Sequence, residues 1–176
     1  MHQDTPTKRP IAESYWVQPG TFLAGEYPGQ FDQEHTRKRL DALIEAGFDT
    51  FVDLTRSNET TPYLRLLQEQ SQSHGVDVQH HRFAIGDFGL PTADLMKSIL
   101  DTIDDALQKG RTVYLHCWGG HGRTGTTVAC HLIRHGLDAQ AAIDQIAAWR
   151  QPLPKNHFPF LEGRQEQFVR SWQAGE

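Results

Sequence analysis

The chain has 176 residues, a net charge of −5 at neutral pH and two cysteines. This length suits one domain with a full hydrophobic core, and two cysteines do not make a disulfide framework. The mildly acidic balance excludes a general nucleic-acid or anionic-membrane binder, and no stretch is apolar enough to span a bilayer.

In chain order, residues 1–14 are polar and proline-containing and read as a flexible arm. They lack the apolar core of a secretory signal, so a cytoplasmic, reducing setting is expected. Between Tyr15 and Gly29, two short apolar pieces flank Pro19-Gly20, which predicts an opening hairpin. Residues 34–46 place Leu40, Leu43 and Ile44 on one helical face, with Gly47 as the stop. Phe48 to Leu54 reads as a strand. Thr61-Pro62 then offers an N-cap and a first-turn proline for a helix carrying Tyr63, Leu66, Leu67 and Gln70. Val76 to Ile85 predicts another strand.

After a loop from Gly86 to Pro91, Thr92 is placed to cap a helix whose Leu95, Ile99, Ile103 and Leu107 recur at helical spacing. Val113 to Leu115 is a buried strand, and residues 124–135 form a helix that carries Cys130 into the core. Two more helices follow, Asp138 to Trp149 and about Leu161 to Trp172. Strands alternating with helices predict an α/β single domain, residues 15–176, around a central, mostly parallel twisted sheet flanked by helices. In such sheets ligands bind at the carboxyl ends of strands.

Residues 113 to 127 hold the chemistry. The strand ends at His116 and Cys117, and five residues (Trp118, Gly119, Gly120, His121, Gly122) separate Cys117 from Arg123. A strand, a glycine-rich turn and a helix head aim successive backbone N–H groups at an anion. Arg123 adds a planar cationic fork matched to two phosphate oxygens. The same positive field favours the thiolate of Cys117 as a nucleophile. A tetrahedral-oxyanion cradle with a thiolate at its floor points to phosphoryl transfer.

The run His116-Cys117-x5-Arg123-Thr124-Gly125 resembles the signature loop of the cysteine-based protein tyrosine phosphatases, most like their compact dual-specificity branch of bacterial type. That resemblance implies the phosphatase fold and a phosphomonoesterase working through a phosphocysteine intermediate without a cofactor or metal. It implies that Cys117 attacks phosphorus while Arg123 and the backbone of Trp118 to Arg123 bind the oxygens. Thr124 is implied to hydrogen-bond the sulfur, and His116 to brace the loop. Asp87, in Gly-Asp-Phe-Gly-Leu-Pro, resembles the family's general acid on a closing loop, with Asp94 a weaker candidate.

His121 occupies the place where phosphoinositide-directed relatives carry lysine, and there it can be partly cationic near a phosphate dianion. The main substrate expected is a phosphorylated protein. Phosphoinositides or inositol phosphates form the alternative, and a non-catalytic phosphate-binding module the rival class. Gln165 matches a recurrent glutamine of the closing helix without a catalytic role. Asp53 reads as structural, and Arg150, Lys155 and His157 as surface charge near the site rim. A metal reading fails along the chain: His80 and His81 alternate on a strand, and His131 and His135 lack an acidic partner on what reads as a solvated helix face. No nucleic-acid partner is expected, and the chain is expected to be a monomer.

Overall fold

The computed structural model describes residues 8–176. A five-stranded sheet runs in the order β1-β2-β5-β3-β4. Strands β1 (Ser14–Gln18) and β2 (Phe22–Gly25) form the expected hairpin, joined by a turn in which Gly20 takes φ +79°. All other neighbours are parallel: β2 with β5 (Val113–His116), β5 with β3 (Thr50–Asp53), and β3 with β4 (Gln79–Arg82). Residues 1–7 of the predicted arm lie outside the described residues. In the described part of that arm Ile11 is buried and Ser14 already lies in the sheet.

Period-two alternation divides each central strand between two cores. On β5, Val113 and Leu115 face one layer and Tyr114 the other; on β3, Val52 and Phe51 divide the same way. The first layer holds α3 (Ala93–Gln108), α4 (Gly122–Arg134), α5 (Ala139–Arg150) and α6 (Gly163–Ser171). The second holds α1 (Gln33–Glu45) and α2 (Leu64–His74). Cys130 is fully buried in the first layer, as its helical position predicts.

Local capping matches the sequence at α3, where the Thr92 hydroxyl accepts from Leu95 N at 3.1 Å, and at α5, where Asp138 accepts from Ala141 N at 2.8 Å. It departs at α2. Tyr63, not Thr61, is the N-cap and makes no side-chain cap bond, since capping takes a short side-chain oxygen and the Tyr63 hydroxyl instead meets His116 in the core. Strand β4 is shorter than Val76–Ile85, since only Gln79–Arg82 finds ladder partners on β3 at the sheet edge. His131 is buried, contrary to the solvated face expected for it, because α3 covers that side of α4.

Candidate active site

Strand β5 lies between β2 and β3, so the turn after His116 is flanked by the loops leaving both neighbours. Two hydrogen bonds shape that turn. The Nδ1–H of His116 donates to the Cys117 carbonyl at 3.0 Å, and Tyr27 N donates to the Trp118 carbonyl at 2.9 Å. A trans peptide carries its C=O and N–H on opposite sides, so turning these two carbonyls outward turns the amides of Trp118 and Gly119 inward. Gly120 N points at Cys117 Sγ from 3.3 Å. Gly120 has φ +76°, and a Cβ there would sit 2.6 Å from the backbone of Gly25, so both conformation and space require glycine.

His116 is held from both sides. Since Nδ1 donates to a carbonyl, Nε2 accepts from Tyr63 Oη at 2.7 Å. Burial lowers the pKa of His116 against the opposing pull of Asp53, keeping the ring neutral. For Asp53, burial pushes the carboxyl up, but His116, a hydrogen bond from His80 and two from Thr55 outweigh it and hold it well below the usual range. Arg82 donates to the same carboxylate at 3.0 Å, which leaves Asp53 structural.

Arg123 opens α4 with its side chain almost wholly buried. Its Nη1 and Nη2 donate to the two oxygens of Glu59 at 2.8 and 2.5 Å, Nη1 also to the Ile85 carbonyl at 2.9 Å, and Nη2 to Asp87 Oδ1 at 3.2 Å. Burial opposes the guanidinium charge; Glu59, Cys117 and Asp87 overcome it and raise the pKa. Glu59 was not singled out from sequence. Its signal is topological: the loop after β3 must lie beside the loop after β5 in a parallel sheet with these strands adjacent.

Asp87 sits half-exposed in a turn closed by Gly89 N donating to the Gly86 carbonyl at 2.8 Å. Phe88 in that turn takes φ +56°, a left-handed conformation costly for an aromatic residue, and projects 73% exposed. A cavity of about 330 Å³ joins Asp87, Phe88, Cys117, Trp118, His121 and Arg123 with Phe158 from the loop after α5. Asp94 lies in the first turn of α3 and does not line it. Gln165 is buried, accepts from Glu162 N at 3.0 Å and packs its amide against Gly122. Its side chain also lines the cavity.

Three expectations are corrected here. Thr124 is fully buried, but its Oγ1 has no hydrogen-bond partner, so the implied bond to Cys117 Sγ is not made. Thr126 and Thr127 back-bond to carbonyls four residues earlier, whereas four residues before Thr124 lies Gly120, in the loop and outside α4. His121 is not partly cationic. Burial, then Arg150 and Lys155, push its pKa down to about 4, and its Nδ1 accepts from Arg150 Nη2 at 2.7 Å. Arg150 is not surface charge: it is 3% exposed and donates to the Phe158 carbonyl from both terminal nitrogens, at 3.1 and 3.2 Å. Lys155 does lie at the rim, ion-paired to Glu26 at 3.0 Å, and His157 stays exposed against Phe158.

Residues 12–168 match the family described as PTP-SAK, Swiss Army Knife protein, DSP-PTPase phosphatase domain. The chain belongs to that family, and with it to the dual-specificity-like cysteine phosphatase superfamily. Among curated proteins it is similar to human dual specificity protein phosphatase CDC14C, 28% identical over 124 residues, covering 68% of this chain and 26% of that protein. Cyclin-dependent kinase inhibitor 3 of Rattus norvegicus is 28% identical over 117 residues, covering 65% and 54%. The chain thus spans about a quarter to a half of the length of these relatives. Among solved structures, Tk-PTP in the active form has a TM-score of 0.68 at 24% identity, covering 89% of this chain and 92% of that one. Kinase associated phosphatase, with its catalytic-site cysteine substituted by serine, has a TM-score of 0.70 at 17% identity, covering 95% and 94%. PTPMT1 in complex with PI(5)P has 0.68 at 18%, covering 91% and 94%. The fold is theirs.

Proposed function

We propose that the chain is a cysteine-dependent phosphomonoesterase acting on phosphotyrosyl and related phosphoprotein substrates. The carrying observation is the convergence on one cavity of the Cys117 sulfur, the Glu59-held Arg123 fork and the Asp87 carboxylate. The thiolate attacks phosphorus, and inward amides with Arg123 bind the equatorial oxygens as the bond to the leaving oxygen breaks. Asp87 gives that oxygen its proton. Water then attacks the phosphocysteine, Asp87 takes a proton from it, and the thiolate leaves with inorganic phosphate as product.

Within this mechanism the rim favours an aryl ester. Phe88, Trp118 and Phe158 are among the most exposed large hydrophobic side chains and all line the cavity. Lys155 is paired to Glu26, His121 is neutral and Arg150 is buried, so little free positive charge remains for a polyphosphorylated inositol. No helix among the described residues is long and apolar enough to cross a membrane. Both cysteines are free, which suits a reducing, cytoplasmic setting. A monomer with no nucleic-acid partner completes the proposal.

The test is steady-state hydrolysis of phosphotyrosine, phosphoserine and phosphothreonine peptides, phosphoinositides and soluble inositol phosphates, with Cys117→Ser as the blank. Phosphotyrosine turnover lost in the variant supports the reading. A preference for inositol esters transfers the site to that substrate class. Tight phosphopeptide binding without turnover makes it a phosphate-reading module.

A further inference from the structure

Helices α3 and α4 carry a second cluster of donor atoms that the catalytic cavity does not share. His131 and His135 stand one turn apart on α4 with ring centroids separated by 4.6 Å, and α3 supplies Asp104 between them. His135 Nε2 lies 2.9 Å from Asp104 Oδ1, and His131 Nδ1 lies 3.7 Å from the same oxygen. One ligand atom from each residue falls within 4.8 Å of the others.

The independent observation is His131 itself. Its side chain is nine-tenths buried, and its Nδ1 has no hydrogen-bond partner although it faces the cluster. Buried polar atoms are normally satisfied, so an orphaned imidazole nitrogen aimed at a carboxylate and a second imidazole asks for a partner. Asp104 is oriented from behind, since Arg134 Nη1 donates to Oδ2 at 3.2 Å and leaves Oδ1 turned to the histidines. Asp101 shares the charge of Arg134 through a 2.8 Å contact.

We propose that His131, His135 and Asp104 bind one divalent transition-metal ion of the zinc class, bridging α3 and α4. Two imidazoles and one carboxylate are a donor set such ions favour over magnesium or calcium. Metal–ligand bonds of about 2.0–2.2 Å place tetrahedral ligands roughly 3.4 Å apart, so modest side-chain rotation closes the set. The adjoining groove, about 450 Å³ and also lined by Gln18 and Gln108, leaves room for a water or amide oxygen as fourth ligand. His131 lies nine positions along α4 from the catalytic turn, or about 14 Å of helical rise. The ion would therefore join α3, which follows the Asp87 loop, to α4, whose first turn carries Arg123, without entering the catalytic cavity.

The test is a calorimetric titration of the chelator-stripped full chain with Zn²⁺, followed by Co²⁺ absorption spectra. Both use the Cys117→Ser background, so that the thiolate cannot take the ion. The expected result is one ion per chain, a thermal midpoint raised by several degrees, and affinity weakened roughly tenfold or more in His135→Ala and in Asp104→Asn. His135 is half-exposed, so its variant should unfold in chelator much as the parent does. Uptake with unchanged affinity in both variants, or no saturable uptake by the parent, overturns the site.

Discussion

Arg123 and Glu59 meet fork to fork, with both terminal guanidinium nitrogens on both carboxylate oxygens, at 2.8 and 2.5 Å. The arginine side chain is 2% exposed and that of Glu59 17%, so the pair is largely withdrawn from solvent. A bidentate pair fixes the plane as well as the position of the cation. The orientation of the Arg123 guanidinium therefore depends on a residue 64 positions earlier in the chain.

Replacing Glu59 with glutamine removes the bidentate counter-charge of this buried cation and leaves only the longer contact to Asp87. The expected outcome is about 2 kcal/mol of lost stability in urea unfolding. A drop of about 10²-fold in kcat/KM should accompany it as the fork loses its plane. Burial pushes the Glu59 carboxyl up, but the Arg123 bond and the Arg56 amide bring it below the ordinary value. A lowered folded pKa means that this contribution is complete above the usual glutamate range and disappears as pH falls through the folded value.

Asp87→Asn should lower kcat/KM, which reports the step that expels the leaving group, roughly 10²–10³-fold on phosphotyrosine peptides. The loss should shrink on nitrophenyl phosphate, whose leaving oxygen needs no proton. Equal losses on both esters would remove Asp87 from the acid role.

Thr124→Val replaces an orphaned buried hydroxyl with a methyl of similar size. Stability is expected to rise by about 1 kcal/mol. Urea unfolding of the variant beside the parent measures this gain.

His121 has a folded pKa of about 4 against 6.5 for an ordinary histidine. Between those values the unfolded chain binds the extra proton and the folded chain does not, so stability rises with pH across that window and falls on acidification. Allowing for solvent screening, the effect between pH 7 and 5 is about 1 kcal/mol. His121→Gln keeps an acceptor for Arg150 and removes the titration, and its urea midpoints should depend less on pH over that range.

Phe88→Gly relieves a left-handed φ but adds backbone freedom to the unfolded chain, and each effect is worth about 1 kcal/mol. The thermal midpoint should hardly move. The KM for aryl phosphates should rise several-fold as part of the aromatic rim is lost, with inorganic phosphate inhibition unchanged.

What the sequence by itself determined lies within short spans. The caps at Thr92 and Asp138 and the Pro19-Gly20 hairpin each depend on neighbours a few residues away, and the turn from Cys117 to Arg123 is marked by its own residues even though Tyr27 and Gly25 help to shape it. Backbone sterics and helix-end chemistry act at that range, so residue order alone makes them legible. Tertiary structure decided the partners. Glu59 reaches Arg123 because β3 is hydrogen-bonded beside β5. Tyr63, at the head of α2, reaches His116 at the end of β5 from 53 positions earlier in the chain. The fold of the loop after α5 buries Arg150 behind His121, which turns an apparent surface cation into a neutralising neighbour of the pocket. Asp104 joins two histidines of another helix because α3 and α4 pack on one face of the sheet. Pairings of this kind follow from strand order and layer packing, long-range consequences of burying both faces of one sheet, and no local pattern encodes them.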